Sequence, residues 1–281
     1  MDVRSLYEIQ GKLGSGGFGS VYKAIRLSDQ KVVAIKALKV NKTSNKLFSL
    51  LNEISILEKI SKEGCNPNLA CYYNHYYDQR RSEMIIEMEI IDGETLTEFC
   101  KKVHGDVLYR YLLLIVKDLI KAIVYIHNLN VLHNDIKPDN IMIDRELTPK
   151  LVDFGLACTT HTCDNNDRVK TSTKTELCCE GYNGTPAFAS PEMYANDIRY
   201  PASDIWSLGV TLYLCATGKY PFLFPYNASN QDIRNTILNN DPAELNTSNK
   251  LLNEIVNKAL IKTPELRITS EGIDTLLSNY E

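Results

Sequence analysis

Val131-Leu132-His133-Asn134-Asp135-Ile136-Lys137-Pro138-Asp139-Asn140-Ile141-Met142-Ile143, then after a short turn Lys150-Leu151-Val152-Asp153-Phe154-Gly155, is the stretch whose reading decides the fold. Two carboxylates, a lysine and a carboxamide are spread across two short apolar runs. Asp135 stands two residues before Lys137 and five before Asn140, and Asp153 follows one hairpin's length later. Oxygen donors converging from adjacent loops suit Mg²⁺, a hard cation that shares its shell with polyphosphate oxygens. A further carboxylate close by is placed to accept a proton from an attacking hydroxyl. The pattern points to metal-assisted phosphoryl transfer.

The chain has 281 residues, enough for one large domain or two small lobes with a substantial core. Its 44% hydrophobic and 23% charged content is that of a globular protein, and a net charge of −4 gives no reason to expect nucleic acid as a partner. The N-terminus lacks the basic and apolar regions of a signal peptide. The most apolar helix candidate, 107–126, carries Arg110, Lys117, Asp118 and Lys121, which argues against membrane insertion. Eight cysteines without a signal peptide imply reduced thiols and a cytoplasmic setting.

Around the opening stretch, β-branched and aromatic runs at 7–13, 20–25 and 32–38 read as an antiparallel meander. Leu47, Leu50, Leu51, Ile54, Leu57 and Ile60 recur at three and four, predicting a helix over 47–60. Strands at 69–77 and 83–90 complete a five-stranded sheet. Ile91-Asp92-Gly93-Glu94-Thr95 reads as a hinge, because helical patterns follow at 96–103, 107–128, 203–217, 229–239, 251–261 and 270–277. The 107–128 helix, apolar on most faces, is expected at the centre of its lobe. Residues 158–182, polar and without periodicity, read as a long mobile loop.

Gly14-Ser15-Gly16-Gly17-Phe18-Gly19-Ser20-Val21 lies between two predicted strands. Glycines there let backbone N–H groups approach phosphate oxygens. A dinucleotide fold would need a helix directly afterwards and an acidic residue about 20 positions on. A strand follows instead, and Asp29 comes too early. Val33-Ala34-Ile35-Lys36 sets one lysine in an apolar strand, and a buried ammonium needs an anion, for which Glu53 is the best candidate. The competing reading is a snorkelling surface lysine beside a solvated glutamate.

Taken in order, these elements resemble the eukaryotic protein kinase family from about Tyr7 to Leu277. They continue with Gly184-Thr185-Pro186-Ala187-Phe188-Ala189-Ser190-Pro191-Glu192, Asp204-Ile205-Trp206 and a late Arg267. The resemblance implies an α+β, bilobal fold in a single catalytic domain over 1–281. The N-lobe would cover about 1–90 with five antiparallel strands and one helix, the hinge 89–93, and a mainly α-helical C-lobe 94–281. It implies ATP and Mg²⁺ as cofactors, and a monomer acting on serine or threonine hydroxyls of protein substrates.

In that family Lys36, held by Glu53, would contact the α- and β-phosphates, and Asn140 and Asp153 would bind Mg²⁺. Asp135 would take the acceptor's proton, and Lys137 would steady the γ-phosphate, with Thr185 the mark of the serine/threonine branch. Leu13, Gly14, Ser15, Gly16, Gly17, Phe18 and Gly19 would cover the nucleotide. Val21, Ala34 and Met142 would sandwich the adenine beside Met88, and the backbone of Glu89 and Ile91 would pair with its edge. Glu192 should pair with Arg267, and Asp204 should tie down the catalytic loop. The alternative is a pseudokinase, a nucleotide-binding scaffold.

Asn134 replaces the arginine that usually precedes the catalytic aspartate and pairs with a loop phosphate, a bidentate contact that asparagine cannot give. Activity is therefore expected not to require phosphorylation of Thr159, Thr160, Thr162, Thr171, Ser172, Thr173 or Thr175. Cys158, His161, Cys163, Cys178 and Cys179 allow zinc or a disulfide, with unrelated free thiols as the simplest reading. Only Asp139 and Glu94 stand near enough to select a basic residue, so weak selection for upstream arginine is expected.

Overall fold

The computed structural model describes residues 3–16, 19–40, 45–162, 177–180 and 184–279. By its contacts the chain divides into two compact units, Met1–Asp92 with Val152–Gly155, and Gly93–Leu151 with Leu156–Glu281. The division falls where the hinge is expected, except that the Asp153 segment belongs with the first unit. Contacts between Asp153 and the sheet lysine, described below, explain that.

In the first unit, β1 (Tyr7–Gly16), β2 (Gly19–Arg26), β3 (Val32–Lys39), β4 (Tyr72–Asp78) and β5 (Glu83–Glu89) form one antiparallel sheet in the order β1-β2-β3-β5-β4. Helix α1 (Asn45–Ser61) stands between β3 and β4 in the chain. The fourth strand begins at Tyr72 rather than Leu69, because Asn66 and Pro67 hold the preceding residues in a turn closed by Leu69 N–H to Asn66 O. Strand β3 is buried on both faces. Val33 and Ile35 pack with Tyr7, Ala24 and Ile85 on one side, which leaves Ala34 and Lys36 on the other. The first face also buries Glu87, which accepts hydrogen bonds from Tyr7 Oη and, at 2.6 Å, from Arg26 Nη1. Desolvation and this carboxylate drive the Tyr7 hydroxyl far above the usual tyrosine range. Gly19 is needed where β2 starts, since its φ is +134° and a Cβ would lie 2.4 Å from Ala37 O.

The second unit opens with β6 (Gly93–Thr95), α2 (Leu96–Lys102), α3 (Gly105–Asn128), β7 (Val131–Leu132), β8 (Ile141–Asp144) and β9 (Pro149–Leu151). The expected hinge stretch is thus partly a strand, paired with β8. Thr95 and Glu98 then cap α2 reciprocally. β10 (Cys158–Thr159) pairs with β7, and β11 (His161–Thr162), β12 (Leu177–Glu180) and β13 (Ile198–Arg199) form a small sheet. The expected structureless loop therefore carries strands at both ends, which two-residue ladders leave no periodicity to reveal. α4 (Pro191–Asn196), α5 (Pro201–Thr217), α6 (Asn230–Asn239), α7 (Lys250–Ala259) and α8 (Ser270–Ser278) complete the unit.

The enclosed central helix is α5, not α3. Every residue from Ser203 to Leu212 is buried, whereas α3 buries the stripe through Leu108, Leu112, Leu119 and Ile126 and leaves Val107 and Leu114 exposed. A helix enclosed all round needs its polar side chains bonded, and in α5 Ser203, Ser207 and Thr211 are bonded to neighbours, while the buried Trp206 Nε1 has no partner. Among the described residues no helix is long and apolar enough to cross a membrane.

Candidate active site

Two clusters of functional side chains form, one in each unit. In the first, β3 and β2 pair Lys36 with Val21, and β3 and β5 pair Ala34 with Met88. Lys36 is buried. Its Nζ lies 2.6 Å from Glu53 Oε1 and 2.8 Å from Asp153 Oδ1. Burial works against the charge on Lys36, but the two carboxylates outweigh it and hold the pKa above that of a free lysine. The snorkelling alternative is thereby excluded. The reason lies in the fold, since the apolar face of α1 carries Glu53 between Leu50 and Leu57, both buried, and turns it towards β3.

In the second unit a carboxylate is surrounded by donors. Asp135 Oδ1 accepts from Thr185 Oγ1 at 2.8 Å; its Oδ2 accepts from Lys137 Nζ at 2.7 Å and Asn140 Nδ2 at 2.8 Å. Lys137 Nζ also donates to Thr185 Oγ1 at 2.7 Å. Behind this cluster Asp204 anchors the backbone. Its carboxylate accepts the amides of His133 at 3.0 Å and Asn134 at 2.9 Å, as expected, and also contacts His127 Nε2 at 2.9 Å. Burial alone would raise the Asp204 pKa, but His127 and the His133 amide lower it. Sequence reasoning missed His127. It ends α3, 77 residues away, and nothing local marks it.

Asn134 and Asp153 both take the left-handed backbone, with φ of 65° and 63°, a region that Asn and Asp tolerate. Asn134 Nδ2 donates to Leu156 O at 3.0 Å and approaches Cys158 Sγ at 3.1 Å. A neutral side chain therefore joins the catalytic loop to the segment that follows Gly155.

Of the expected nucleotide contacts, Ala34 is buried, Val21, Met88, Glu89, Ile91 and Met142 are half-buried, and Leu13 is exposed. Gly14, Ser15 and Gly16 lie in β1, while Gly17 and Phe18 lie outside the described residues. The N–H of Glu89 donates to Cys71 O at 2.7 Å, which fixes the peptide at the end of β5.

The expectation of reduced thiols needs correction. Cys65 and Cys71 are joined in a disulfide, their Cα atoms 5.2 Å apart across the loop after α1, and Cys158 is also disulfide-bonded. Compartment alone does not decide bonding, which depends on proximity, and the turn at Pro67 creates it. A bonded Cys158 is no zinc thiolate. Cys163 lies outside the described residues, and among the described residues no group of three or more His, Cys, Asp or Glu side chains could hold a metal.

Each unit offers a hard oxygen donor of the kind that Mg²⁺ takes. Asn140 spends its amide nitrogen on Asp135 O and Oδ2, both at 2.8 Å, and its carboxamide oxygen is a hard donor. Asp153 contributes a carboxylate, 36% exposed. One or two protein oxygens, completed by phosphates and water, are what Mg²⁺ ordinarily takes.

The β-sheet unit holds a buried Lys–Glu–Asp cluster, and the helical unit an Asp–Lys–Asn–Thr cluster. The model of the protein kinase domain matches residues 7–278, and the chain belongs to that family. It is 32% identical over 223 residues to the serine/threonine-protein kinase KIC1 of Saccharomyces cerevisiae, covering 79% of this chain and 19% of that protein. It is 29% identical over 301 residues to the serine/threonine-protein kinase dst1 of Dictyostelium discoideum, covering 99% and 38%. With the serine/threonine-protein kinase chk-2 of Caenorhabditis elegans it shares 32% over 235 residues, covering 78% and 45%. The chain spans less than half the length of each of these relatives.

Proposed function

We propose that the chain is an ATP- and Mg²⁺-dependent protein kinase that phosphorylates serine and threonine hydroxyls of protein substrates. The observation that carries this reading is Lys137 bridging Asp135 and Thr185, which puts a base, a cation and a hydroxyl-bearing guide within hydrogen-bond reach of one another. The acceptor hydroxyl gives its proton to Asp135 as its oxygen bonds to the γ-phosphorus, and the bond to the β-phosphate oxygen breaks, releasing ADP. Lys137 offsets charge on the transferring group, and Lys36 holds the α- and β-phosphates, itself fixed by Glu53. Asn140 and Asp153 would hold Mg²⁺, which neutralises phosphate charge when bound. The backbone N–H groups of Gly14, Ser15 and Gly16 at the end of β1 would complete the phosphate cradle.

The test is transfer of the γ-phosphate from ATP to a generic protein such as casein. Phosphoserine or phosphothreonine should form with Mg²⁺ and disappear on chelation. Nucleotide binding without any transfer would establish the scaffold reading instead.

The Asn134 contacts bear on activation. Because they already tie the catalytic loop to Leu156 and Cys158 without charge, no loop phosphate is needed to neutralise an arginine there. Thr160, moreover, is buried and donates to Asn130 O at 3.3 Å, so it is poorly placed for phosphorylation. Alanine at Thr159, Thr160, Thr162, Thr171, Ser172, Thr173 and Thr175 together should leave transfer intact. Abolished transfer in a folded variant would reverse this.

A further inference from the structure

The connection from α1 to β4 is closed on itself and, at its buried end, fastened to the sheet. Cys65 and Cys71 are joined across six positions of sequence, with Cα atoms 5.2 Å apart. Between them the backbone turns at Asn66, whose Oδ1 accepts the Asn68 N–H at 2.9 Å and whose carbonyl accepts the Leu69 N–H at 3.1 Å. Leu69, Ala70 and Cys71 are buried, whereas Cys65 is exposed. One cysteine of the pair is thus open to solvent, and the other lies inside the unit.

Cys71 holds the last residue of β5 through two bonds. The Glu89 N–H donates to Cys71 O at 2.7 Å, and the Cys71 N–H donates to Glu89 Oε2 at 3.2 Å. Fixed at both its amide and its carboxylate, Glu89 has little freedom to turn its own carbonyl. The same connection leaves α1, the helix whose Glu53 lies 2.6 Å from Lys36 Nζ. The disulfide therefore ties the exit of α1 to the residue whose backbone is expected at the adenine edge, all within the first unit. An exposed disulfide is one that a thiol can reach and open.

We propose that Cys65 and Cys71 form a redox switch on nucleotide affinity, in which the disulfide holds Glu89 for the adenine edge and reduction releases it. The proposal rests on the protein-kinase reading. The reductant is a small-molecule thiol. Its thiolate attacks Cys65 Sγ, the S–S bond breaks, and Cys71 leaves as a thiolate that takes a proton. A second thiol attacks the mixed disulfide and frees Cys65, so the two electrons come from two small thiols that end as their own disulfide. By linkage, nucleotide should protect the bond from reduction by the factor with which the bond strengthens nucleotide binding.

The probes are ATP with Mg²⁺ and glutathione buffers of set ratio, applied to the wild type and to Cys65→Ser. Cys158 is bonded outside this pair, so it responds to glutathione in both proteins and cancels in their comparison. Oxidised wild type should bind ATP about fivefold or more tighter than reduced wild type. Cys65→Ser should bind like the reduced form in every buffer. Saturating ATP should shift the glutathione ratio that half-reduces the bond, read by mass after thiol alkylation, by the same factor. Amide exchange at Glu89, followed by NMR, should be faster in the reduced form.

Equal affinity in the two redox forms overturns the proposal, as does a change that persists in Cys65→Ser, which would assign the effect to Cys158. So does alkylation of both Cys65 and Cys71 in protein kept in oxidised glutathione. A redox-dependent exchange rate at Glu89, lost in Cys65→Ser, with no ATP bound by either form removes the kinase reading and keeps the hold on Glu89. ATP bound alike by both forms, with phosphate transferred, does the reverse.

Discussion

Asp135→Asn should lower kcat by about 10²- to 10⁴-fold, the usual contribution of a positioned general base, while nucleotide affinity stays close to that of the wild type. The substitution keeps the size of the side chain but removes the proton acceptor. It also replaces one of two accepting oxygens with a donor. In the native protein those oxygens accept from Thr185, Lys137 and Asn140, so the new amide must face a hydroxyl it can use or an ammonium that it cannot. The arrangement predicts that the amide nitrogen turns towards Thr185. The nucleotide contacts assigned to Lys36 lie in the other unit and do not depend on this residue. Single-turnover transfer alongside nucleotide titration checks the split. A loss confined to nucleotide binding would show that Asp135 is not the base.

Arg267→Ala should cost about 3–5 kcal/mol of stability, the penalty for breaking a buried ion pair from one side. The guanidinium is almost fully buried, and its five N–H donors meet five acceptors. Nη1 donates to Glu192 Oε1 and Ala202 O, both at 2.7 Å, Nη2 to Glu192 Oε2 at 3.0 Å and Lys262 O at 3.2 Å, and Nε to Ile261 O at 2.9 Å. It also lies 5.1 Å from the centre of the Trp206 ring. Arg267→Lys should rescue little, because an ammonium cannot reproduce the planar fork. Urea midpoints of the three proteins read the effect. A loss below about 1 kcal/mol, the level of an exposed pair, would mean that the pair is solvated.

The same pair sets a pH dependence. Burial alone would raise the Glu192 pKa, but Arg267 lowers it below the ordinary glutamate value. A depressed folded pKa means stability that is present above about pH 4.3, the unfolded value, and lost as pH falls through the lower folded one. Glu192→Gln should therefore flatten stability against pH over that acid range, as urea midpoints would record.

The family and the sheet were legible in the sequence, because each is written in local chemistry, whereas the pairing of Glu192 with Arg267 was implied only by the resemblance to the family. Glycines between strands, a lysine in an apolar strand and an Asp-x-x-x-x-Asn loop occur in a fixed order that survives without coordinates. The long amphipathic pattern of α1 placed Glu53 beside Lys36 for the same reason. Periodicity served less well for burial. It could not tell the half-exposed α3 from the enclosed α5, since a helix of mixed small and polar residues becomes central only once its hydroxyls find partners on other elements.

What the sequence determined by itself was the set of groups from Asp135 to Asp153 proposed to react and the order of the elements that carry them. Tertiary structure decided how those groups are held. It brought His127 and Asp204 beneath the catalytic loop and turned Asn134 towards Leu156. It also closed Cys65 onto Cys71 and stacked Phe222 on Trp206. The physical reason is range. Capping, periodicity and motif spacing act over a few residues and are readable in order. Contacts between residues tens of positions apart exist only after hydrophobic burial has fixed where the chain returns.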